Sequence, residues 1–202
     1  MENELISLNS EFATNRLVLL HGWGADADDL IPLGKLLTES LNNSFEIVSL
    51  AANEYHPDGR GRQWYSLYPH DWEAVPNAVL NLERRVKNLV TNEIPLEKTL
   101  LLGFSQGGAM ALEIARNLKL RGVFAFSSYS HPYWKPKKDM PPVFLSHGNM
   151  DSVVPKSESE RTFDLLKNYG IRSELYLFDG EHEITNDLIS HFQGIINNEF
   201  SF

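Results

Sequence analysis

A chain of 202 residues, 42% hydrophobic and 22% charged, has the composition of a single globular domain and is long enough to bury a sizeable core. Its formal charge of −9 argues against nucleic acid as a partner, since binding to phosphates is driven by Lys and Arg, and the absence of cysteine excludes disulfide scaffolds, thiolate metal sites and cysteine nucleophiles. The opening Met1-Glu2-Asn3-Glu4 is acidic where a secretory signal would be basic, and no run approaches the roughly eighteen apolar residues of a bilayer span, so a cytoplasmic protein without stable membrane insertion is expected.

Residues 1–15 carry only Leu5, Ile6, Leu8 and Phe12 as large apolar residues and support at most a short edge strand or hairpin. Arg16-Leu17-Val18-Leu19-Leu20-His21 is a continuous apolar run, the pattern of a strand buried on both faces. It ends in the loop His21-Gly22-Trp23-Gly24-Ala25-Asp26, after which Leu30, Leu33, Leu36, Leu37 and Leu41 recur at helical spacing. Asp26, Asp28 and Asp29 stand where that helix should begin. The glycine and late glutamate of a calcium loop are missing, and acids are favoured by the dipole at a helix N-terminus.

Residues 45–51 read as the next buried strand, followed by an irregular stretch, 53–76, rich in Gly, Pro, His and aromatics. A loop of that length in a compact domain tends to be functional. Within it Gly59-Arg60-Gly61-Arg62-Gln63-Trp64-Tyr65-Ser66-Leu67 mixes basic and aromatic residues, but two arginines in an acidic chain are too few for nucleic acid, and the stretch reads better as the wall of a site. Val79, Leu82, Val86, Leu89 and Val90 keep helical period, with a stop expected near Asn92.

Residues 98–104 form a strand that runs into Gly103-Phe104-Ser105-Gln106-Gly107-Gly108-Ala109, and residues 106–118 a helix. Residues 122–127 and 143–148 are further buried strands. The loop 128–142 between them carries four prolines and a solvated Lys135, Lys137, Lys138 cluster. A helix through Phe163, Leu166 and Tyr169 stops at Gly170, residues 173–178 alternate as an outer strand, and residues 179–184 should open a last helix through Leu188, Phe192 and Ile195. Six strands alternating with five helices, with no repeat or linker, predict one α/β domain over residues 1–202, with a doubly wound, mostly parallel sheet and helices on both faces.

Gly-x-Ser-x-Gly between a buried strand and a helix is the pattern of a nucleophile elbow, a sharp turn that lifts a serine hydroxyl clear of the fold and needs small neighbours. In an open parallel sheet ligands bind at the carboxyl ends of strands, and Ser105, Asp151 and His182 stand at three such ends. Chemistry assigns their roles. A serine hydroxyl needs a base, imidazole serves near neutral pH, and a carboxylate must fix the imidazole tautomer. Ser105 is therefore the expected nucleophile, His182 the base and then acid, and Asp151 its orienter. Glu181 and Glu183 flank His182 but are too close in sequence to fold back onto it. Oxyanion donors are expected from the backbone N–H groups of Gln106 and Trp23.

His21 should shape its own loop, and His56, His70, His131, His147 and His191 show no paired partner in the sequence. A metal site recruiting His21, Asp26, His147, Asp151 and His182 would lack any tight ligand spacing, so no metal is expected.

These motifs resemble the phospholipase/carboxylesterase family of α/β-hydrolases, which includes acyl-protein thioesterases and small bacterial carboxylesterases. The matching pieces are Leu20-His21-Gly22-Trp23-Gly24-Ala25-Asp26, the Gly103 to Ala109 string, His147-Gly148-Asn149-Met150-Asp151-Ser152-Val153-Val154-Pro155 and Gly180-Glu181-His182-Glu183-Ile184, spread over nearly the whole chain. Gly61-Arg62-Gln63-Trp64-Tyr65-Ser66-Leu67 is similar to the family's tryptophan-aromatic segment near the acyl pocket. The resemblance implies the α/β-hydrolase fold without a lid domain and hydrolysis, with neither metal nor cofactor, of a small-molecule ester of short to medium acyl chain, thioesters and lysophospholipids included. A homodimer is compatible with it. Trp23, Trp64, Leu67 and Val154 are the expected acyl-pocket residues. Ser128 stands where relatives commonly have glycine, and Trp23 is bulkier than their usual leucine. A peptidase, a lactone hydrolase or a non-catalytic binding protein on the same scaffold remain alternatives at this level.

Overall fold

The computed structural model describes residues 5–8, 11–41 and 44–199. Strands β1 (Leu5–Leu8), β2 (Asn15–Leu20), β3 (Phe45–Leu50), β6 (Thr99–Phe104), β7 (Gly122–Phe126), β8 (Val143–Gly148) and β9 (Ser173–Phe178) form a seven-stranded sheet in the order β1-β3-β2-β6-β7-β8-β9. The apolar runs become the parallel strands, and β1, within the weakly patterned start of the chain, pairs antiparallel with β3 at the edge. A separate two-residue ribbon, β4 (Glu54–Tyr55) with β5 (Arg62–Gln63), lies inside the stretch expected to be irregular.

The period of two along each strand divides the core into two layers. Val18, Leu20, Leu101, Val123 and Ala125 face one layer with helices α2 (Val75–Lys87), α3 (Gln106–Ala115) and α4 (Ser157–Asn168), which contribute Leu82, Met110, Ile114 and Leu166. Leu17, Leu19, Leu100, Leu102, Phe124 and Phe126 face the other, with α1 (Ile31–Thr38) and α5 (Asn186–Glu199), which contribute Leu33, Leu37, Leu188 and Phe192. Central strands buried on both faces explain why their sequences read as unbroken apolar runs.

Two helix ends differ from the periodic pattern. The chain from Asn88 to Val90 leaves α2 in a tightened turn, Leu89 N–H donating to Val86 O and Val90 N–H to Lys87 O, so the helix stops short of Asn92. The last helix begins at Asn186 because residues 179–185 are held as a loop against the end of β8: Met150 N–H donates to Gly180 O at 2.9 Å, and Asn149 N–H to Phe178 O at 2.8 Å. That detour leaves His182 on a loop beside the strand ends. Among the described residues no helix is long and apolar enough to cross a membrane.

Candidate active site

Ser105 occupies the residue between β6 and α3 with φ 52° and ψ −119°, a conformation that costs an L residue about 1–3 kcal/mol and persists only where its surroundings over-determine it. They do. Ser105 N–H donates to Phe126 O at 2.9 Å, and Ser105 O accepts from Gly108 N–H at 3.0 Å, Ala109 N–H at 3.2 Å and the Ser128 hydroxyl at 2.9 Å. The turn closes because a Cβ at Gly107 would lie 2.1 Å from Leu20 O and one at Gly103 2.2 Å from Gly107 O. Ser128, the departure from the expected glycine, thus supplies one of the bonds that clamp the elbow.

Asp151 and His182 come from the loops after β8 and β9. The Asp151 side chain is wholly buried, and its Oδ2 lies 2.7 Å from His182 Nδ1. Its Oδ1 accepts the backbone N–H groups of Val153 at 2.9 Å and Val154 at 2.8 Å. Burial pushes this carboxyl up, but the His182 hydrogen bond and the two amide donors outweigh it and hold Asp151 below the usual carboxylate range. A carboxylate in this place accepts the proton of Nδ1, which leaves Nε2 of the neutral ring as a base. The His182 ring packs on Phe104, with centroids 4.9 Å apart.

A second histidine reaches the same carboxylate. His147 Nε2 lies 2.8 Å from Val154 O and 3.2 Å from Asp151 Oδ2, two acceptors that fix its proton on Nε2, and its Nδ1 accepts from the Ser159 hydroxyl at 2.7 Å. Burial pushes His147 below the ordinary imidazole range, so this is a neutral donor buttressing Asp151. The expectation that His147 lacks a partner is corrected here. The available signal was its position four residues before Asp151, with both residues at one strand end. His131, His56 and His191 likewise have partners, in Glu113, Asp58 and Glu174.

Ser105 and His182 open into a cavity of about 660 Å³. Its lining includes Trp23, Leu67, Tyr68, Trp72, Tyr129 and Val154, so three of the four expected pocket residues surround the serine. Trp64 does not. Its indole N–H needs an acceptor once buried and finds His21 O at 2.9 Å, which turns the ring away from the cavity and into a separate hollow beside Asn53 and Asn77. Trp23 is pinned by its own indole N–H, which donates to Gln63 Oε1 at 2.9 Å, and by ring contacts with His56 and Tyr68.

His21 is wholly buried and shapes the loop as expected: Ala52 N–H donates to its Nε2 at 3.0 Å, so Nδ1 carries the proton and donates to Gly22 O at 2.7 Å. The backbone N–H groups of Trp23 and Gln106, the two expected oxyanion donors, make no hydrogen bond among the described residues. The Gln106 side chain has a role the sequence reading missed. Oε1 accepts Trp64 N–H at 3.1 Å and Nε2 donates to Tyr65 O at 2.8 Å, fastening the aromatic segment to the elbow helix.

Behind Tyr129 runs a buried polar chain. Tyr129 Oη is 2.6 Å from Tyr65 Oη, Tyr65 Oη is 2.7 Å from His131 Nε2, His131 Nδ1 is 3.0 Å from Glu113 Oε1, and Arg116 donates to Glu113 Oε2 at 3.1 Å. Burial raises both phenols, Tyr129 to about 12, so each keeps its proton in neutral solution. Burial also pushes the Glu113 carboxyl up, but the bonds from His131 and Arg116 outweigh it and hold Glu113 below its ordinary value.

Comparison with known proteins gives matches over nearly the whole chain. The model of the Phospholipase/Carboxylesterase family matches residues 1–198. Acyl-protein thioesterase 1 of Neurospora crassa is 30% identical over 138 residues, 58% of this chain and 56% of that protein. Its Candida albicans counterpart is 25% identical over 195 residues, 83% of this chain and 84% of that protein. The match thus spans little more than half the length of the Neurospora protein. Among solved structures, esterase PE8 superposes with a TM-score of 0.86 at 29% identity over 95% of this chain and 96% of that chain. The carboxylesterase of Bacillus cereus, 18% identical, shares the fold with a TM-score of 0.82 over 96% of this chain and 92% of that chain. The seven-stranded sheet with its flanking helices is the α/β-hydrolase fold.

Proposed function

Because the chain belongs to the phospholipase/carboxylesterase family, we propose that it is a serine hydrolase of carboxylic esters, thioesters included, with short to medium acyl chains. The observation that carries this reading is the 2.7 Å contact of buried Asp151 with His182, which lines the same cavity as Ser105 on its strained turn. In the proposed reaction Ser105 Oγ attacks the carbonyl carbon while His182 Nε2 takes its proton, and the imidazolium is stabilised by Asp151. The oxyanion is received by the free N–H groups of Trp23 and Gln106, each such donor being worth about a hundred- to a thousand-fold in rate. His182 returns the proton to the departing alkoxide or thiolate. Water, deprotonated in turn by His182, then cleaves the acyl-serine and restores the hydroxyl. Trp23, Leu67 and Val154 would receive the acyl chain.

The test is a fluorophosphonate probe together with a chromogenic ester assay. The native protein should be labelled and turn over butanoate and hexanoate esters, and Ser105→Ala should lose both, the rate falling by about four to six orders of magnitude. Labelling that survives the substitution overturns the assignment.

A further inference from the structure

The polar chain behind the cavity has a direction. Glu113, fixed as an anion by Arg116, can only accept, so in the neutral ring His131 carries its proton on Nδ1 and presents Nε2 as an acceptor. Tyr65, wholly buried, therefore donates its hydroxyl proton to His131 Nε2. Its oxygen is left to accept, and the 2.6 Å contact with Tyr129 must be filled by the proton of Tyr129. The hydroxyl of Tyr129, a residue that lines the cavity, has its proton turned inward, and among the described residues Tyr65 is its only hydrogen-bond partner.

We propose that Tyr129 is a specificity residue whose oxygen, held as an acceptor by the Tyr65-His131-Glu113 chain, selects esters bearing a hydroxyl or N–H donor on the chain that lies along this wall, over those with a carbonyl at the same position. The inference rests on the hydrolase reading above and refines its substrate class. A carbonyl placed there would face a second oxygen with no proton between them, and a donor would complete the bond; a neutral hydrogen bond of this kind is worth roughly a five- to tenfold preference.

The experiment compares methyl octanoates that are unsubstituted or carry a hydroxyl or an oxo group on the third, sixth or seventh carbon, following acid release at about pH 8.5, above the usual imidazole range. For at least one position the native protein should prefer the hydroxy ester over the oxo ester by roughly five- to tenfold in kcat/KM. Tyr129→Phe should bring the pair within about twofold while still cleaving the unsubstituted ester. His131→Leu removes the acceptor of the Tyr65 proton, so the hydroxyls should turn and the preference invert, which a merely structural role would not produce. If that variant does not fold, Tyr65→Phe should level the pair. Absence of any hydroxyl preference in the native protein, or its survival in Tyr129→Phe, overturns the proposal. If no ester is cleaved at all, the hydrolase reading has failed, and the filter is still read from calorimetric affinities of the same esters for Ser105→Ala with and without Tyr129→Phe: a hydroxyl preference that Tyr129→Phe abolishes supports it, and equal affinities overturn it.

Discussion

The floor of the cavity and the wall opposite are held by different forces. Ser105 follows a strand whose Leu100, Leu101 and Leu102 are wholly buried, whereas across the opening Tyr68 and Trp72 are 74% and 37% exposed. The floor is positioned by backbone pairing and by core packing on both faces of the sheet, so its geometry is a by-product of folding. The wall is positioned by individual polar bonds, Gln106 to Trp64 and Tyr65, Trp23 to Gln63, and Tyr129 to Tyr65. Chemistry at Ser105, Asp151 and His182 should therefore be sensitive to single atoms there and, the Trp23 N–H apart, little affected by the side chains of the wall. The wall should govern which substrate reaches it.

The largest expected effect tests the floor. Asp151→Asn keeps the shape and an oxygen for the Val153 and Val154 amides, but its NH₂ cannot accept the Nδ1 proton of His182. The ring is then driven to the other tautomer, and Nε2 ceases to be a base. Turnover should fall by about 10⁴-fold, the magnitude known for this exchange in a serine protease, in a protein that stays folded but melts lower than native, because the new NH₂ also faces His147 Nε2–H. A fall of less than about tenfold would mean that the buttressed carboxylate is structural, and it would erase the distinction between floor and wall.

The difference between the regions also explains what could be read from sequence. The strand run Arg16 to His21 was legible because Leu17 and Leu19 face one core layer and Val18 and Leu20 the other, leaving no polar position to break the pattern. Ser105, Asp151 and His182 stood out because each follows a strand that could be located. The bonds of the wall have no such signature. Trp64 lies three residues from Leu67, yet one faces away from the cavity and the other into it, because the indole N–H of Trp64 has its acceptor at His21 O, forty-three positions away. Glu113 and His131 are eighteen positions apart, and only the packing of α3 against the 128–134 segment makes them a pair. The antiparallel edge strand was visible only as a weakly apolar segment, since residues at the rim of a sheet are under little pressure to be hydrophobic.

Gln106→Met probes the joint between the two regions. Its backbone N–H stays in place at the elbow, and the volume is nearly kept, but Trp64 N–H and Tyr65 O lose their partners while buried. Leaving two such groups unmet should lower the unfolding free energy by about 2–4 kcal/mol, measured by denaturant titration. Labelling of Ser105 by a small fluorophosphonate should stay within a few-fold of native, while KM for hexanoate esters rises. Equal losses in labelling and in KM would show that the wall and the floor are one unit.

The smallest effect expected is in the pH dependence of stability, and it should originate in the floor. Burial pushes His21 below the ordinary imidazole range, more than the Gly22 carbonyl and the charges of Asp26 and Asp29 raise it, and burial does the same to His147 against the pull of Val154 O and Asp151. In both residues the folded pKa lies below the unfolded one. Above the usual imidazole value of about 6.5 both states are neutral and the stability is fully present. As the pH falls below that value the unfolded chain takes up protons that the folded chain refuses, and stability is lost down to the folded pKa. The denaturant midpoint should therefore decline between about pH 7 and pH 5. His21→Gln, whose amide can accept from Ala52 N–H and donate to Gly22 O without titrating, should flatten the decline. Acid sensitivity that is unchanged in His21→Gln and also in His147→Gln would place its source outside the floor. Asp151, with its depressed pKa, adds a separate loss only at lower pH, as the carboxylate that holds His182 is protonated.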